Sequence, residues 1–215
     1  SHQLRTPLAA MQTMGEVAAS RERPAAEYRE TISDMLQELN RLRGVIEQLL
    51  ALSRLEEGVF RDSFEGVDAE EVATRVTHLY GPVCEENGIR FEQEGCPELT
   101  INGVPELLTE MLGNLADNAI RHTPRGGSVR LGCQRHDHAV VLFVHDSGPG
   151  IPADLAERIF ERFFQIPGSP SGGTGLGLAL ARDIASLHGG TLRLANPGQP
   201  GACFEVTLPA ANVRS

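Results

Sequence analysis

Two glycine-rich stretches carry the most chemistry in this sequence. Asp146-Ser147-Gly148-Pro149-Gly150 follows the apolar run 140–144, and residues 172–178, Gly-Gly-Thr-Gly-Leu-Gly-Leu, precede a helix-patterned segment ending near His188. Glycines at a helix start let backbone N–H groups face an anion, and the helix dipole favours negative charge there. A nucleotide phosphate is therefore the ligand class to consider. A P-loop is excluded, because GxxxxGK[ST] needs a lysine and all 19 basic side chains here are arginine. The dinucleotide fingerprint GxGxxG fails as well. Its last glycine would fall on Leu178 counting from Gly173, or on Leu180 counting from Gly175, and the motif stands near the end of the chain rather than in an opening βαβ unit.

A second constellation lies upstream. Asn114 and Asn118 are four apart on one helical face, with Arg121 and His122 a turn beyond. Asparagine oxygens are hard neutral ligands suited to Mg²⁺, which keeps several waters and is shared with phosphates. Taken singly, the glycines also fit a structural turn and the asparagines also fit the polar stripe of an amphipathic helix.

These residues need elements to position them. Tyr28, Ile32, Met35, Leu39, Leu42, Ile46 and Leu49 recur at alternating steps of four and three within residues 25–57, a heptad seam that predicts a helix packed lengthwise on others. Leu4, Leu8 and Met11 mark a shorter helix before it, and residues 20–24 form the turn of a helical hairpin. One seam cannot hide itself, so two copies meeting as a four-helix bundle, a homodimer, are expected, with packing on the rest of the same chain as the alternative. After Gly58 the texture changes. Strands are expected at 64–67, 89–93, 99–101, 128–133, 139–145, 191–195 and 203–208, and helices at 69–80, 104–122, 153–161 and 175–188. The fold class is thus an antiparallel helical hairpin followed by an α/β sandwich with a mixed sheet. The expected domains are residues 1–58 and 62–212.

Bulk properties bound the rest. The 215 residues are 40% hydrophobic and 22% charged, a folded composition. No run approaches the roughly 18 apolar residues of a membrane span, and this segment itself shows no charged-then-apolar signal pattern. A net charge of −10 without a basic block argues against a nucleic-acid surface. Cys84, Cys96, Cys133 and Cys203 are scattered, and are expected to be reduced thiols of a cytosolic compartment.

The motifs resemble, in order, those of the sensor histidine kinases. Asn114-Leu115-Ala116-Asp117-Asn118-Ala119 with Arg121-His122-Thr123-Pro124 looks like the N box, and Asp146-Ser147-Gly148-Pro149-Gly150 like the G1 box. Phe160-Glu161-Arg162-Phe163-Phe164 is similar to the F box, Gly173-Thr174-Gly175-Leu176-Gly177-Leu178 to the G2 box, and the opening Ser1-His2-Gln3-Leu4-Arg5-Thr6-Pro7-Leu8 to the H box. The resemblance implies a Bergerat-type site for ATP or ADP with Mg²⁺. Asp146 would accept the adenine amino group, and Gly148 and Gly150 would let the backbone approach the base. Asn118 would hold the metal, with Asn114 near the reacting phosphate. Arg121, His122 and Arg162 would face phosphates or the lid, and residues 165–174 would form that lid. His2 would be the phosphoacceptor, and Thr6, one turn along the same helix face, would orient water for dephosphorylating a response regulator. Pro7 removes an N–H from the helix and is expected to bend it beside His2.

One residue departs from the pattern. The family has Glu or Asp after the histidine, where Gln3 stands; an amide accepts a hydrogen bond yet takes up no proton. Slowed autophosphorylation of His2 is expected, with ATP binding and dimerisation intact. The implied activity is phosphoryl transfer from ATP to His2 and on to a response-regulator aspartate, with phosphatase activity. A predominantly phosphatase protein and a non-catalytic ATP-gated scaffold are the alternatives. The family resemblance also implies a cytoplasmic location for this segment, with an upstream sensor anchored in the inner membrane.

Overall fold

A heptad seam on one helix needs a second helix to lie along it, and α1 (His2–Ala19) and α2 (Ala25–Glu56) form that hairpin. The computed structural model describes residues 2–57, 60, 63–95, 98–167 and 173–211, leaving aside the side chains of residues 2–6, 41 and 56. The chain divides into two units, residues 1–51 and 52–215. In the first, the turn is tied by side chains that cap orphan carbonyls at the end of α1. Ser20 Oγ and Arg23 Nη2 both donate to the Val17 carbonyl, at 2.9 and 3.0 Å. Tyr28 OH reaches back to the Arg21 carbonyl at 3.2 Å. The seam splits in two. Tyr28, Met35, Leu42 and Leu49, seven apart, are half-buried, with the Met35 methyl against Gly15 of α1. Ile32, Leu39 and Ile46, the alternate members, are 55%, 51% and 45% exposed.

The second unit is a two-layer α/β sandwich. Five strands, β2 (Arg90–Gln93), β4 (Ser128–His136), β5 (Ala139–Asp146), β7 (Cys203–Pro209) and β6 (Thr191–Leu194), lie side by side in that order. The β2–β4 pair is parallel and the other pairs are antiparallel, so the sheet is mixed as expected. A separate ribbon pairs β1 (Glu65–Asp68) with β3 (Thr100–Gly103). Helices α3 (Ala69–Glu86), α4 (Pro105–His122) and α5 (Gly177–Leu187) supply the second layer. Alternation along β5 sends Val140, Leu142, Val144 and Asp146 inward, while Phe143 and His145 stay half-exposed. On α4 the apolar stripe Leu108, Met111, Leu112, Leu115 and Ala119 is fully buried, which leaves the opposite stripe for chemistry.

Three expectations are corrected by the structure. Helix α3 runs six residues past Tyr80 and carries Pro82 inside it; fully buried Cys84 keeps that last turn on the core. Residues 153–161 form two 3₁₀ turns, Ala153–Leu155 and Arg158–Phe160, rather than one helix. Ile159 and Phe160 are both buried there, and the following chain bonds outward, Phe163 N–H to the Gly175 carbonyl at 2.6 Å, so a continuous helical ladder has nothing to extend into. The cysteine expectation is also corrected. Cys84 and Cys203 are free thiols, but Cys133 is disulfide-bonded. Parallel pairing carries the segment after β2 along β4, with Glu94 N–H on the Leu131 carbonyl at 2.8 Å, a proximity that sequence spacing hides. Cys96 lies outside the described residues.

Candidate nucleotide site

Asp146 ends β5 with its side chain inward and only 2% exposed. Its Oδ1 accepts two backbone N–H groups, from Gly148 at 2.8 Å and from Ala202 at 3.1 Å. Its Oδ2 is equally buried and has no partner among the described residues. Burial pushes the carboxyl above its ordinary value of 3.8, while the two N–H donors and the nearby His145 and His122 pull the other way. A buried acceptor left unpaired costs free energy unless a ligand donor reaches it. An exocyclic amino group beside an aromatic ring, as in adenine, is such a donor.

The glycines after Asp146 make room for the protein's own backbone. A Cβ on Gly148 would lie 2.6 Å from the His122 carbonyl oxygen and 2.8 Å from Asp146 Oδ1. Gly150 has φ +79° and would strike the Gln199 carbonyl at once. The 199–202 loop thus closes against residues 146–150, and supplies the Ala202 donor. Sequence reasoning missed Ala202. The adjacency comes from β5–β7 pairing, with Asp146 N–H also bound to the Ala202 carbonyl at 2.9 Å.

Helix α4 presents the asparagines. Asn114 Nδ2 donates to the Glu110 carbonyl at 2.9 Å, which turns Oδ1 outward, 3.0 Å from where a Cβ of Gly177 would lie. Gly177 opens α5, whose N-cap residue, Leu176, makes no side-chain cap bond, so the positive end of the helix dipole lies beside Asn114. Asn118 is half-buried one turn on. Among the described residues no cluster of three His, Cys, Asp or Glu side chains could hold a metal. The asparagine oxygens are hard neutral donors, the type suited to a cation that phosphate oxygens help to bind.

The G2 residues form a braced neck rather than a loose loop. Gln165 Nε2 donates to the Gly173 carbonyl at 2.6 Å, and Leu176 N–H to Thr174 Oγ1 at 3.2 Å. Leu176 is fully buried and Leu178 half-buried. Phe163 and Gly175 both have φ +70°, and the Phe163 backbone comes within 2.8 Å of where a Gly175 side chain would sit. A phenylalanine in that conformation is strained, which is common beside functional loops. Residues 168–172 of the expected lid, Gly172 included, lie outside the described residues.

The expected cations are differently employed. Arg121 pairs with Asp117 at 2.6 Å and Arg162 with Asp183 of α5 at 3.1 Å. His122 is lowered from its ordinary 6.5, chiefly by burial, so its ring is neutral at neutral pH. The side chains of His2, Gln3 and Thr6 lie outside the described residues; their backbone belongs to α1.

Comparison with known proteins agrees with this arrangement. Residues 103–212 match the family described as histidine kinase-, DNA gyrase B-, and HSP90-like ATPase, and residues 1–58 match the His Kinase A (phospho-acceptor) domain. The sensor protein IrlS of Burkholderia pseudomallei is 35% identical over 98% of the chain, which covers 46% of IrlS. The chain spans about half the length of the curated relatives it matches, 46% and 52% for two of them. Among solved structures, full-length ShkA in complex with AMPPNP has a TM-score of 0.72 at 28% identity, over 97% of this chain and 44% of that one. Histidine kinase ThkA in complex with the response regulator protein TrrA shares the fold, with a TM-score of 0.77 at 24% identity over 97% of this chain and 59% of that one. With both family models placed in order on one chain, the protein belongs to the sensor histidine kinases.

Proposed function

We propose that this chain is a kinase core that moves the γ-phosphoryl group of ATP to His2 and then to an aspartate of a response-regulator receiver domain. The orphaned, buried Asp146 Oδ2 carries the reading, because it is a pre-built acceptor for the adenine amino group. The Asn114 side chain beside the start of α5 supports a phosphate site there, since a helix N-terminus favours an anion. A bound Mg²⁺ would neutralise charge on the phosphates, held by Asn118 with Asn114 beside it. Asn114 is an amide where water-activating relatives carry a carboxylate, so ATP is kept for transfer rather than hydrolysis.

In the transfer, the lone pair of a neutral His2 nitrogen attacks the γ-phosphorus, the bond to the β,γ-bridging oxygen breaks, and ADP leaves with that electron pair. The ring's other N–H proton must then be released. Gln3 cannot take it, so it goes to solvent and the step is slow. Thr6 orients the water that returns the regulator's phosphoaspartate to aspartate. Gln3 favours, and Thr6 permits, a second reading in which the phosphatase side predominates. Residues 1–58 act as the phosphotransfer hairpin and residues 62–212 as the ATP-binding domain.

The uncovered half of the seam, Ile32, Leu39 and Ile46 with Leu36 and Leu50, supports a homodimer through a four-helix bundle. No described helix is long and apolar enough to cross a membrane. A membrane anchor, as in longer sensor proteins, would belong to residues outside this segment.

Incubation with γ-labelled ATP tests the reading. Acid-labile, alkali-stable label should appear on the wild type, be absent from His2→Ala, and chase onto a receiver domain. Label that persists in His2→Ala would sink it.

A further inference from the structure

His188 is a buried histidine that the nucleotide chemistry does not use. It is 5% exposed, and both ring nitrogens are engaged. Nδ1 lies 2.8 Å from the Ile184 carbonyl in the last turn of α5, and Nε2 lies 3.1 Å from the backbone N–H of Val104. Only one neutral tautomer satisfies both, with the proton on Nδ1 donated to Ile184 and Nε2 accepting from Val104. Val104 is the N-cap residue of α4 and has no side-chain cap of its own. In a capping box, a side chain three residues on returns to bind the N-cap N–H. Here a side chain from 84 residues away does so.

The ring is wedged as well as bonded. It sits on Phe64 with centroids 5.0 Å apart, and it fills the space that Gly103 leaves, where a Cβ would lie 2.6 Å from its Cδ2. Helices α4 and α5 run side by side in opposite directions between two contacts. His188 joins Val104 at one end, and Asn114 meets Gly177 at the other. Each contact lies about 15 Å along its helix from the other, by the helical rise of 1.5 Å per residue. A slip at the His188 end is carried by rigid helices to the asparagine end.

We propose that His188 is a positioning residue for the nucleotide site, fixing the axial register of α4 against α5 and hence the placement of Asn114 over the α5 N-terminus. This rests on the nucleotide reading given above. Protonation of the ring abolishes the acceptor for Val104, so the register is secured only by the neutral form. Burial lowers the ring's titration and the Ile184 carbonyl opposes it. Glu65 and Asp68 of β1, Glu106, Glu110, Asp117 and Arg121 of α4, Arg182 and Asp183 of α5 and Glu205 of β7 are the charged groups on the elements packed around it, and burial with the Ile184 carbonyl, rather than these charges, governs the direction of its titration.

The test measures ADP binding to the full chain by calorimetry with Mg²⁺, well below each variant's melting transition, with circular dichroism as the record of folding. His188→Phe keeps a ring against Phe64 but offers Val104 no acceptor, and should bind ADP about tenfold more weakly. His188→Gln offers an amide oxygen and should recover most of that loss. The wild-type advantage over His188→Phe should shrink towards unity as pH falls through the ring's titration, which burial holds below the ordinary 6.5. Wild-type affinity in His188→Phe overturns the proposal, as does a loss that Gln does not relieve and pH does not change. If His188→Phe fails to fold, Gly103→Ala, which displaces the same ring, takes its place beside His188→Gln under the same criteria. A wild type that binds no ADP overturns the nucleotide reading itself, a result separable from all of these.

Discussion

Replacing Asp146 with asparagine changes one oxygen to an amino group, and the structure dictates which one. Oδ1 is held by the N–H groups of Gly148 and Ala202, so the amide oxygen must stay there; the reverse orientation would face two donors with a third. The NH₂ therefore occupies the Oδ2 position, pointing at the adenine amino group. One hydrogen bond to an ionised acceptor is lost, about 1.5–3 kcal/mol, and an opposed donor pair is left buried, about 1–3 kcal/mol more. At about 1.4 kcal/mol per decade, ADP affinity should fall between about 10²- and 10⁴-fold. Stability should move differently. Burial raises the pKa of Asp146, so its ionised form is costly in the fold, and a neutral amide should leave the melting temperature unchanged or higher. Inosine diphosphate adds a control, since its 6-oxo group accepts where adenine donates, and the variant's preference for ADP over it should drop at least about tenfold. Calorimetry with both nucleotides, alongside thermal denaturation without ligand, reads all three. Asp146→Asn binding ADP within about threefold of wild type would refute the assignment of Oδ2 to the base.

Three further outcomes are expected. Gln3→Glu should raise the initial rate of His2 labelling by about 10²-fold, the lower range for a positioned general base, with ADP affinity unchanged; an unaltered rate would mean that the missing carboxylate is irrelevant. Leu39→Glu places a charge in the uncovered half of the α2 seam, and should turn a dimer into a monomer in analytical ultracentrifugation while leaving helix content intact. Acid should act on the fold through buried His188 and half-buried His122. His122 and His188 titrate below the ordinary 6.5 when folded, so their contribution is complete above about 6.5 and is lost as pH falls from there towards their folded values. Asp146 and Glu110 act with the opposite sign, because their raised folded values favour the protonated fold below those values. Denaturant midpoints of the wild type should therefore fall more steeply from pH 7 to pH 5 than those of His188→Phe, and identical profiles would contradict the burial of His188.

The parts of the site that were legible in the sequence are those whose partners are local. Asn114 and Asn118 are spaced by one helical turn, and α4 forms because apolar residues fill the opposite face, so both facts sit in one stretch of chain. Asp146 and its glycines are likewise contiguous. The expectations that needed amendment depend on distant pairing. Ala202 reaches Asp146 through the β5–β7 ladder, and His188 reaches Val104 across two helices. Cys133 is brought beside the segment after β2 by parallel pairing. The seam on α2 was visible as a period, but which half faces α1 is set by the close approach at Gly15 and Met35. The missing helix at 153–161 failed for a related reason. Its apolar pair Ile159–Phe160 satisfies a helical pattern locally, while the Phe163–Gly175 bond that ends it comes from outside the window.

A lysine-free chain must still meet the charge of a nucleotide, and the paired arginines indicate how. The Arg121–Asp117 bridge is 30% and 56% exposed and the Arg162–Asp183 bridge 46% and 42% exposed, and pairs so open to solvent contribute about 0–1 kcal/mol. Redirecting either guanidinium to a phosphate therefore costs little, whereas a buried pair would resist. The carboxylates act as resting places that lower the penalty of an unpaired cation without competing strongly for it. Asp117→Asn removes one resting place and leaves Arg121 to the ligand, so ADP should bind up to about fivefold more tightly, the worth of one such exposed pair. Adenosine, which has no phosphate, should bind as before. Arg121→Gln should weaken ADP and again spare adenosine. Equal changes for ADP and adenosine in either variant would show that Arg121 acts on the fold of α4 rather than on the phosphate.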